Sequence, residues 1–360
     1  GMYCGSCMHD NTLASALSRL GVDIQLIPCY TPIRTDETDV SVDQVFFGGV
    51  NVYLQQRIPL FRHLPSLLDR VLDRPRFLRW ATSRAASVDP RLLGELTVSM
   101  LRGEHGNQRK EVRRLGDYFA RSHRPDLIVF TNLLIGGCIP ELKRSLGRPV
   151  LVTLQGDDIF LDSLEEPYRE QALAEIHRLV PSVDAFLVHS QSYADLMQAY
   201  FDLPRERIRI VPLGIDTRHF TEAAATGQPS VGAATDDRVG CRSIGYLARL
   251  APEKGLHLLI DAFLQLRQDP AMQDVRLEIA GWLGDHQREY AQTAFNRLRD
   301  QGLADDFSYH GTVDLDAKVR FLQGLDVFCV PTTYQEPKGL YVLEALAAGT
   351  PVVAPAHGAF

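Results

Sequence analysis

The chain has 360 residues, 45% of them hydrophobic, and a net charge of −7. That length and apolar content suit two α/β domains with separate cores, and the acidic balance argues against a general nucleic-acid binder. It contains no apolar run of roughly eighteen residues and no basic leader ahead of an apolar segment, so neither a spanning helix nor a signal peptide is indicated and the cytosol is the expected compartment.

The chain opens inside a motif, Gly1-Met-Tyr-Cys4-Gly5-Ser6-Cys7-Met-His-Asp10, where a Rossmann-like domain would open with a strand. The first strand is therefore expected to be missing. Gly5 and Ser6 form a small-residue loop entering a helix near Asp10, a shape that leaves backbone room for a phosphate. The apolar positions Leu13, Leu17 and Leu20 make this the first helix of a β-α-β unit. Cys4-x-x-Cys7 has the spacing of a thioredoxin-type dithiol or half a zinc site, but no second pair at ligand spacing accompanies it. The six Cys (4, 7, 29, 138, 241, 329) read as reduced core thiols rather than a disulfide framework.

Val22 to Pro28 is expected as a strand, Tyr30 to Asp43 as a polar loop reaching the cleft mouth, and Val45 to Leu54 as a strand bent at Gly48-Gly49. From Arg57 to Arg124 the pattern is helical, broken by proline, and holds 15 Lys and Arg against 7 Asp and Glu. This basic segment reads either as solvated arginine on core helices or as a surface for anionic lipid or an acidic acceptor. The second reading would place the protein peripherally at the inner membrane face. Buried strands follow at Asp126 to Thr131, Val150 to Leu154 and Ala185 to Ser190. The second ends in Gln155-Gly156-Asp157-Asp158, whose acidic pair caps a helix or faces the cleft, since ligands in open parallel sheets sit beyond the strand carboxyl ends. Thr221 to Arg238, rich in Ala, Gly and Thr, reads as a linker, and strand and helix alternate again from Ser243.

Near the end a strand from Val327 to Val330 enters a Pro and Thr loop, Gly339 opens a helix, and Gly349 and Pro351 close it. Glu336 lies in the loop, and Glu344, four residues after Leu340, is expected to look back toward the helix start. Free backbone N–H groups at Gly339 and Leu340 attract phosphate oxygens, and a carboxylate beside them can accept the hydroxyls of a ribose or a sugar. That is the chemistry of a nucleotide-sugar site.

The stretch Glu336-Pro-Lys-Gly339-Leu340-Tyr-Val-Leu-Glu344-Ala-Leu-Ala-Ala-Gly349-Thr-Pro351-Val-Val resembles the Glu-x7-Glu signature of retaining glycosyltransferases of family 4, which have the GT-B fold. Gly245-Tyr-Leu-Ala-Arg249-Leu-Ala-Pro-Glu-Lys254-Gly255 resembles that family's block in which the matching Arg and Lys bind the donor diphosphate. Leu277-Glu-Ile-Ala-Gly281 and Phe307-Ser-Tyr-His-Gly311 fall where the family has its next two strand ends, which places Gly281 in the substrate site. Ile208 to Asp216 is similar to the family's crossing between domains, with Leu213 in place of Asn. The chain departs at Gln155-Gly156, where the family usually shows His-Gly; Gln cannot transfer a proton but can hydrogen-bond sugar hydroxyls.

The resemblance implies two Rossmann-like domains with parallel sheets: an acceptor-side domain at 1–220, a linker at 221–239 and a donor-binding domain at 240–360, lacking helices at its end. It implies retaining transfer from a nucleoside-diphosphate sugar to a carbohydrate, lipid-linked or small-molecule acceptor. Arg249 and Lys254 would neutralise the diphosphate, Glu336 would hold the donor sugar and Glu344 the ribose. Gly5, Ser6, Gln155, Gly281, Gly339 and Leu340 would complete the substrate contacts. No Asp-x-Asp triplet flanks the donor blocks, so no metal and no cofactor beyond the donor is expected. A sugar-nucleotide epimerase of the same fold, a noncatalytic sugar-nucleotide binder and a thiol oxidoreductase on Cys4 and Cys7 are the competing classes.

Overall fold

The structure is a computed structural model that describes residues 5–62, 90–221 and 242–360. The chain divides into two compact units, Ser6–Pro212 and Leu213–Phe360. The first is built on a parallel sheet of β1 (Ile128–Phe130), β2 (Val150–Thr153), β3 (Ala185–Val188) and β4 (Ile208–Ile210), in that order. Val129 pairs with Leu151, Val152 with Phe186, and Leu187 with Arg209. Ile128, Phe130, Val150, Val152, Phe186 and Val188 are buried on these strands among Leu142, Ile176, Met197 and Phe201 from the crossover helices.

In chain order the helices of this unit are α1 (Gly5–Arg19), α2 (Gly49–Arg57), α3 (Pro90–Leu101), α4 (Arg109–Tyr118), α5 (Ile139–Leu146), α6 (Asp157–Asp162), α7 (Tyr168–Leu179) and α8 (Gln191–Phe201). Two local expectations fail here. Val22 to Pro28 forms no ladder with the sheet; its Leu26 makes a single parallel bridge to Ser41, and Cys29, just after it, makes another to Phe46. The span from Val45 to Leu54 is a strand in neither half. Phe46 and Phe47 are buried in a loop and Gly49–Arg57 is helical, because Asn51 and Gln55, four apart on one helical face, are fully buried against Glu111 of α4. A helix whose buried face is polar hides its period from any apolar pattern. Residues 63–89 of the basic segment and, Thr221 apart, the expected linker at 221–239 lie outside the described residues. So does Cys4, while Cys7, Cys29, Cys138 and Cys329 are free thiols and burial pushes Cys29 up to about 12.

The second unit has a parallel sheet in the order β7-β6-β5-β8-β9: β5 (Ser243–Leu247), β6 (Arg276–Ala280), β7 (Phe307–Tyr309), β8 (Val327–Cys329) and β9 (Val352–Val353). Its helices are α9 (Leu256–Leu266), α10 (Arg288–Asp300), α11 (Leu315–Gln323) and α12 (Leu340–Ala347). Tyr246, Leu277, Ile279 and Phe328 from the strands meet Ile260, Phe263, Leu298 and Leu322 from the helices in a separate core, which also takes in Phe220. The chain leaves β5 toward β6 on one side and returns to β8 on the other, so the strand order reverses between β5 and β8. Ligands of open α/β sheets bind in the crevice that such a reversal opens beyond the strand carboxyl ends.

Candidate nucleotide-sugar site

The loops after β5 and β8 carry the two ends of this crevice in the second unit. After β5 a single 3₁₀ turn, Pro252–Lys254, ends at Gly255, whose φ of 74° starts α9. A Cβ at Gly255 would lie 1.8 Å from the carbonyl oxygen of Pro331, just beyond β8. Only a residue with no side chain lets the two loops approach this closely. The approach brings Lys254 Nζ to 2.6 Å from Glu336 Oε2. Tyr334 and Tyr341 close around them: Lys254 donates to the Tyr334 hydroxyl at 2.6 Å, and both tyrosine hydroxyls donate to Glu336 Oε2, at 2.6 and 3.2 Å. The ammonium also lies over both rings, 4.9 and 5.2 Å from their centroids, so cation–π attraction adds to the ion pair.

Glu336 is 5% exposed. Burial by itself would raise its carboxyl, but the Lys254 charge and hydrogen bonds from Lys254, Tyr334 and the Gly339 N–H outweigh that and hold it below the usual carboxylate range. Burial, and then the Glu336 charge, raises both tyrosine hydroxyls, so they stay protonated donors. Gly339 caps α12 in the left-handed region at φ 71°, and Leu340 is its first residue, as the turn chemistry requires.

The other expected donor-side residues are placed as follows. Arg249 ion-pairs with Glu253 at 2.5 Å and is partly exposed. Gly281 ends β6; its N–H donates to the Gly311 carbonyl at 2.8 Å, and its Cα packs on Ala248. Glu344 is buried on α12, with Oε1 held 2.6 Å from Lys318 Nζ of α11. Lys318, at 6% exposure, escaped the sequence reading, as did Tyr334 and Tyr341. The available signal was two tyrosines within five residues of Glu336; a lysine three residues into a helix carries none until its partner is known.

Gly5 and Ser6 are the first two residues of α1. Gln155, 8% exposed at the end of β2, donates through Nε2 to the Thr131 carbonyl at 2.9 Å and to Asp10 Oδ1 at 3.2 Å. Asp157 accepts the N–H groups of Leu133 at 2.6 Å and Gln155 at 3.1 Å, tying the ends of β1 and β2, while Asp158 accepts the Tyr193 hydroxyl at 2.7 Å. Both acids therefore serve the loop and helix start rather than pointing out of the fold.

Comparison with known proteins adds to this geometry. The sequence family described as glycosyl transferase 4-like domain matches residues 11–214, and glycosyl transferases group 1 matches residues 238–360. The mannosylfructose-phosphate synthase of Agrobacterium fabrum is 29% identical over 54% of this chain and 42% of its own. The D-inositol 3-phosphate glycosyltransferase of Geodermatophilus obscurus is 31% identical over 52% of this chain and 40% of its own. The chain thus spans about half the length of the curated relatives it matches. Among solved structures, Anabaena HepE in complex with UDP superposes with a TM-score of 0.58 at 17% identity, over 93% of this chain and 82% of that one. Sucrose-phosphate synthase from Thermosynechococcus elongatus gives 0.55 at 21% identity, over 70% and 61%. These neighbours establish two parallel-sheet α/β units of the GT-B kind.

Proposed function

The chain belongs to the glycosyl transferase 4-like family, and from that premise we propose that it transfers a sugar, with retention at the anomeric carbon, from a nucleoside-diphosphate sugar to a hydroxyl acceptor. The observation that carries this reading is the Lys254–Glu336 pair, clamped by two tyrosines at the strand-order reversal and set against the start of α12. In the reaction the bond from the anomeric carbon to the phosphate oxygen breaks and a bond to the acceptor oxygen forms on the same face. The acceptor's proton passes to the departing phosphate oxygen, so no protein base is needed. Positive charge grows on the sugar ring and negative charge on the diphosphate.

Lys254 has three N–H donors, of which Tyr334 and Glu336 take two; the third, with the Leu340 N–H at the helix start, meets the diphosphate, while the expected Gly339 N–H is spent on Glu336. Three donors converge on Glu336 Oε2 and the Gly339 N–H is a fourth donor to the same carboxylate, which keeps it charged as the ring becomes cationic, and Oε1 is assigned a donor-sugar hydroxyl. Arg249 supplies a further positive charge to the diphosphate, Glu344 holds the ribose, and Gly281 lets the backbone come close to the nucleotide. Gly5, Ser6 and Gln155 are assigned further substrate contacts. The chemistry calls for no metal. UDP is the nucleotide of first choice, since HepE has been solved with UDP and with UDP-glucose.

Calorimetric titration tests this. Lys254→Ala and Arg249→Ala should each weaken UDP binding much more than uridine binding, by roughly tenfold or more for the loss of one charged contact. Equal losses for both ligands would remove the diphosphate assignment.

A further inference from the structure

We propose that the first unit binds a neutral sugar ring in a surface cavity among α2, α3 and α7. The cavity opens to solvent and is lined by Gln56 of α2, Ser99 and Arg102 of α3, Asn107 of the loop that follows α3, and Gln171 of α7. Its volume is about 230 Å³. Pockets for drug-sized ligands begin at roughly 300 Å³, so this one suits a single ring with its hydroxyls rather than a longer molecule. It shares no residue with the candidate site of the second unit, and it does not depend on the glycosyl-transfer reading.

One wall is fixed by backbone contact. A Cβ at Gly106 would lie 1.9 Å from the Ser99 carbonyl oxygen, so only glycine lets the loop sit this close to α3. Beside that contact Ser99 Oγ accepts the Asn107 N–H at 2.8 Å and donates its own O–H to Gln108 Oε1 at 2.8 Å. Gln108 therefore turns its Nε2 toward Gln56, whose Oε1 accepts it at 3.2 Å and accepts Asn107 Nδ2 at 2.9 Å. A single backbone N–H thus sets the direction of three side-chain amides. Gln56 is left with Nε2 as a donor and Asn107 with Oδ1 as an acceptor. Neither atom has a partner among the described residues, and neither is shut off from solvent.

A hydroxyl both donates and accepts, so two adjacent hydroxyls on a ring match a donor and an acceptor on bonded neighbours. Gln171 adds an exposed amide of the same kind from α7. The fixed charges on the walls, Arg102 and Glu95, are of opposite sign. Arg102 Nε is held by Glu175 Oε1 at 3.0 Å, and Glu95 Oε1 accepts the Tyr168 hydroxyl at 3.3 Å. His105, the other titratable group on the wall, lies 3.9 Å from Glu104. A balanced wall favours a neutral ligand, because a phosphate would bring a charge that Glu95 repels.

The test titrates D-glucose, D-galactose and D-mannose into the full chain while following side-chain amides by ¹H–¹⁵N NMR. The Asn107 and Gln171 signals are identified by their loss in Asn107→Ala and Gln171→Ala. At least one sugar should shift both signals saturably, and its affinity should fall about tenfold in Asn107→Ala and in Gln56→Met. The shifts should persist in saturating UDP-glucose. The proposal is overturned if no sugar moves these signals, if inorganic phosphate moves them and the sugars do not, if UDP-glucose cancels the shifts, or if the variants bind the sugar as the wild type does. Should Asn107→Ala or Gln56→Met fail to fold, Gln171→Ala, a change on an exposed helix face, decides by whether it weakens the same sugar. A chain that binds no UDP loses the glycosyl-transfer reading and keeps this site, since the sugar shifts are read without nucleotide.

Discussion

Glu336 and Glu344 share one signature, yet their surroundings give them different work. Glu336 is buried beside Lys254 and two tyrosine hydroxyls, in the loop ahead of α12 where the proposed reaction develops charge; Glu344 sits within the helix against the buried Lys318. Glu336→Gln keeps the shape and loses the negative charge, so kcat should fall about a hundredfold with donor KM little changed. Glu344→Gln should instead raise donor KM and also lower Tm, because Lys318 stays buried without its counter-charge; breaking such a pair costs on the order of 3 kcal/mol. Steady-state kinetics and melting curves on both variants check this, and a Glu336→Gln enzyme with wild-type kcat would end the proposed role. Asp157 gives a pH test. Burial pushes its carboxyl up to about 6 against an ordinary 3.8, although the Leu133 and Gln155 N–H groups pull the other way. The folded chain then keeps a proton that the unfolded chain has lost, so Asp157 favours folding at low pH and this contribution disappears as pH rises through about 6. Between pH 4 and pH 7 the wild type should lose up to about 3 kcal/mol relative to Asp157→Asn, which has no proton to lose. Parallel stability curves for the two would show that Asp157 is ionised throughout.

At the scale of elements, the proposed donor site depends on two strand-to-helix loops touching at one glycine. Gly255 holds φ at 74° and lets Pro331 come against its Cα, so the turn ending in Lys254 and the loop leading to Glu336 share a backbone contact. Gly255→Ala adds a left-handed penalty of roughly 1 to 2 kcal/mol and forces a carbonyl oxygen away from the new methyl. Its expected cost is therefore at least about 2 kcal/mol of stability, together with a loss of UDP affinity, since Lys254 and Glu336 are moved apart. A Gly255→Ala chain with wild-type Tm and UDP affinity would show that the loops are held by other contacts. In the first unit α2 plays a comparable part with polar groups: Asn51 and Gln55 bond Glu111, and Arg114 pairs with Glu111 and donates to the Val45 carbonyl. That network fixes the loop of Phe46 and Phe47 against α4.

At the scale of the whole molecule, each unit closes its own core, and the proposed donor residues Arg249, Lys254, Gly281, Glu336 and Glu344 all belong to the second. UDP at about a hundred times its Kd should stabilise the unit that binds it by about 2.7 kcal/mol. Hydrogen exchange should show this as slower exchange in β5, β6 and β8, with β1, β2 and β3 unchanged; protection confined to β1–β3 would place the nucleotide in the wrong unit. The amino-acid sequence by itself determined the parallel α/β class, the strands from Ile128 onward and the loop and helix around Gly339, because apolar runs, glycine stops and short loops are local signals that tertiary contacts only reinforce. It also put forward Lys254, by resemblance to the family's Arg and Lys block, and Glu336, in the loop ahead of Gly339, as candidate site residues. What only the tertiary structure decided is how those residues are paired. Lys254 against Glu336, Glu344 against Lys318, and His9 and Gln155 on Asp10 join positions 82, 26 and up to 145 residues apart. The same holds for α2, whose buried face is polar and is chosen by Glu111, sixty residues away. A buried polar group is stable only where its partner is placed, and the partner's place is a property of the packed fold rather than of the neighbouring sequence.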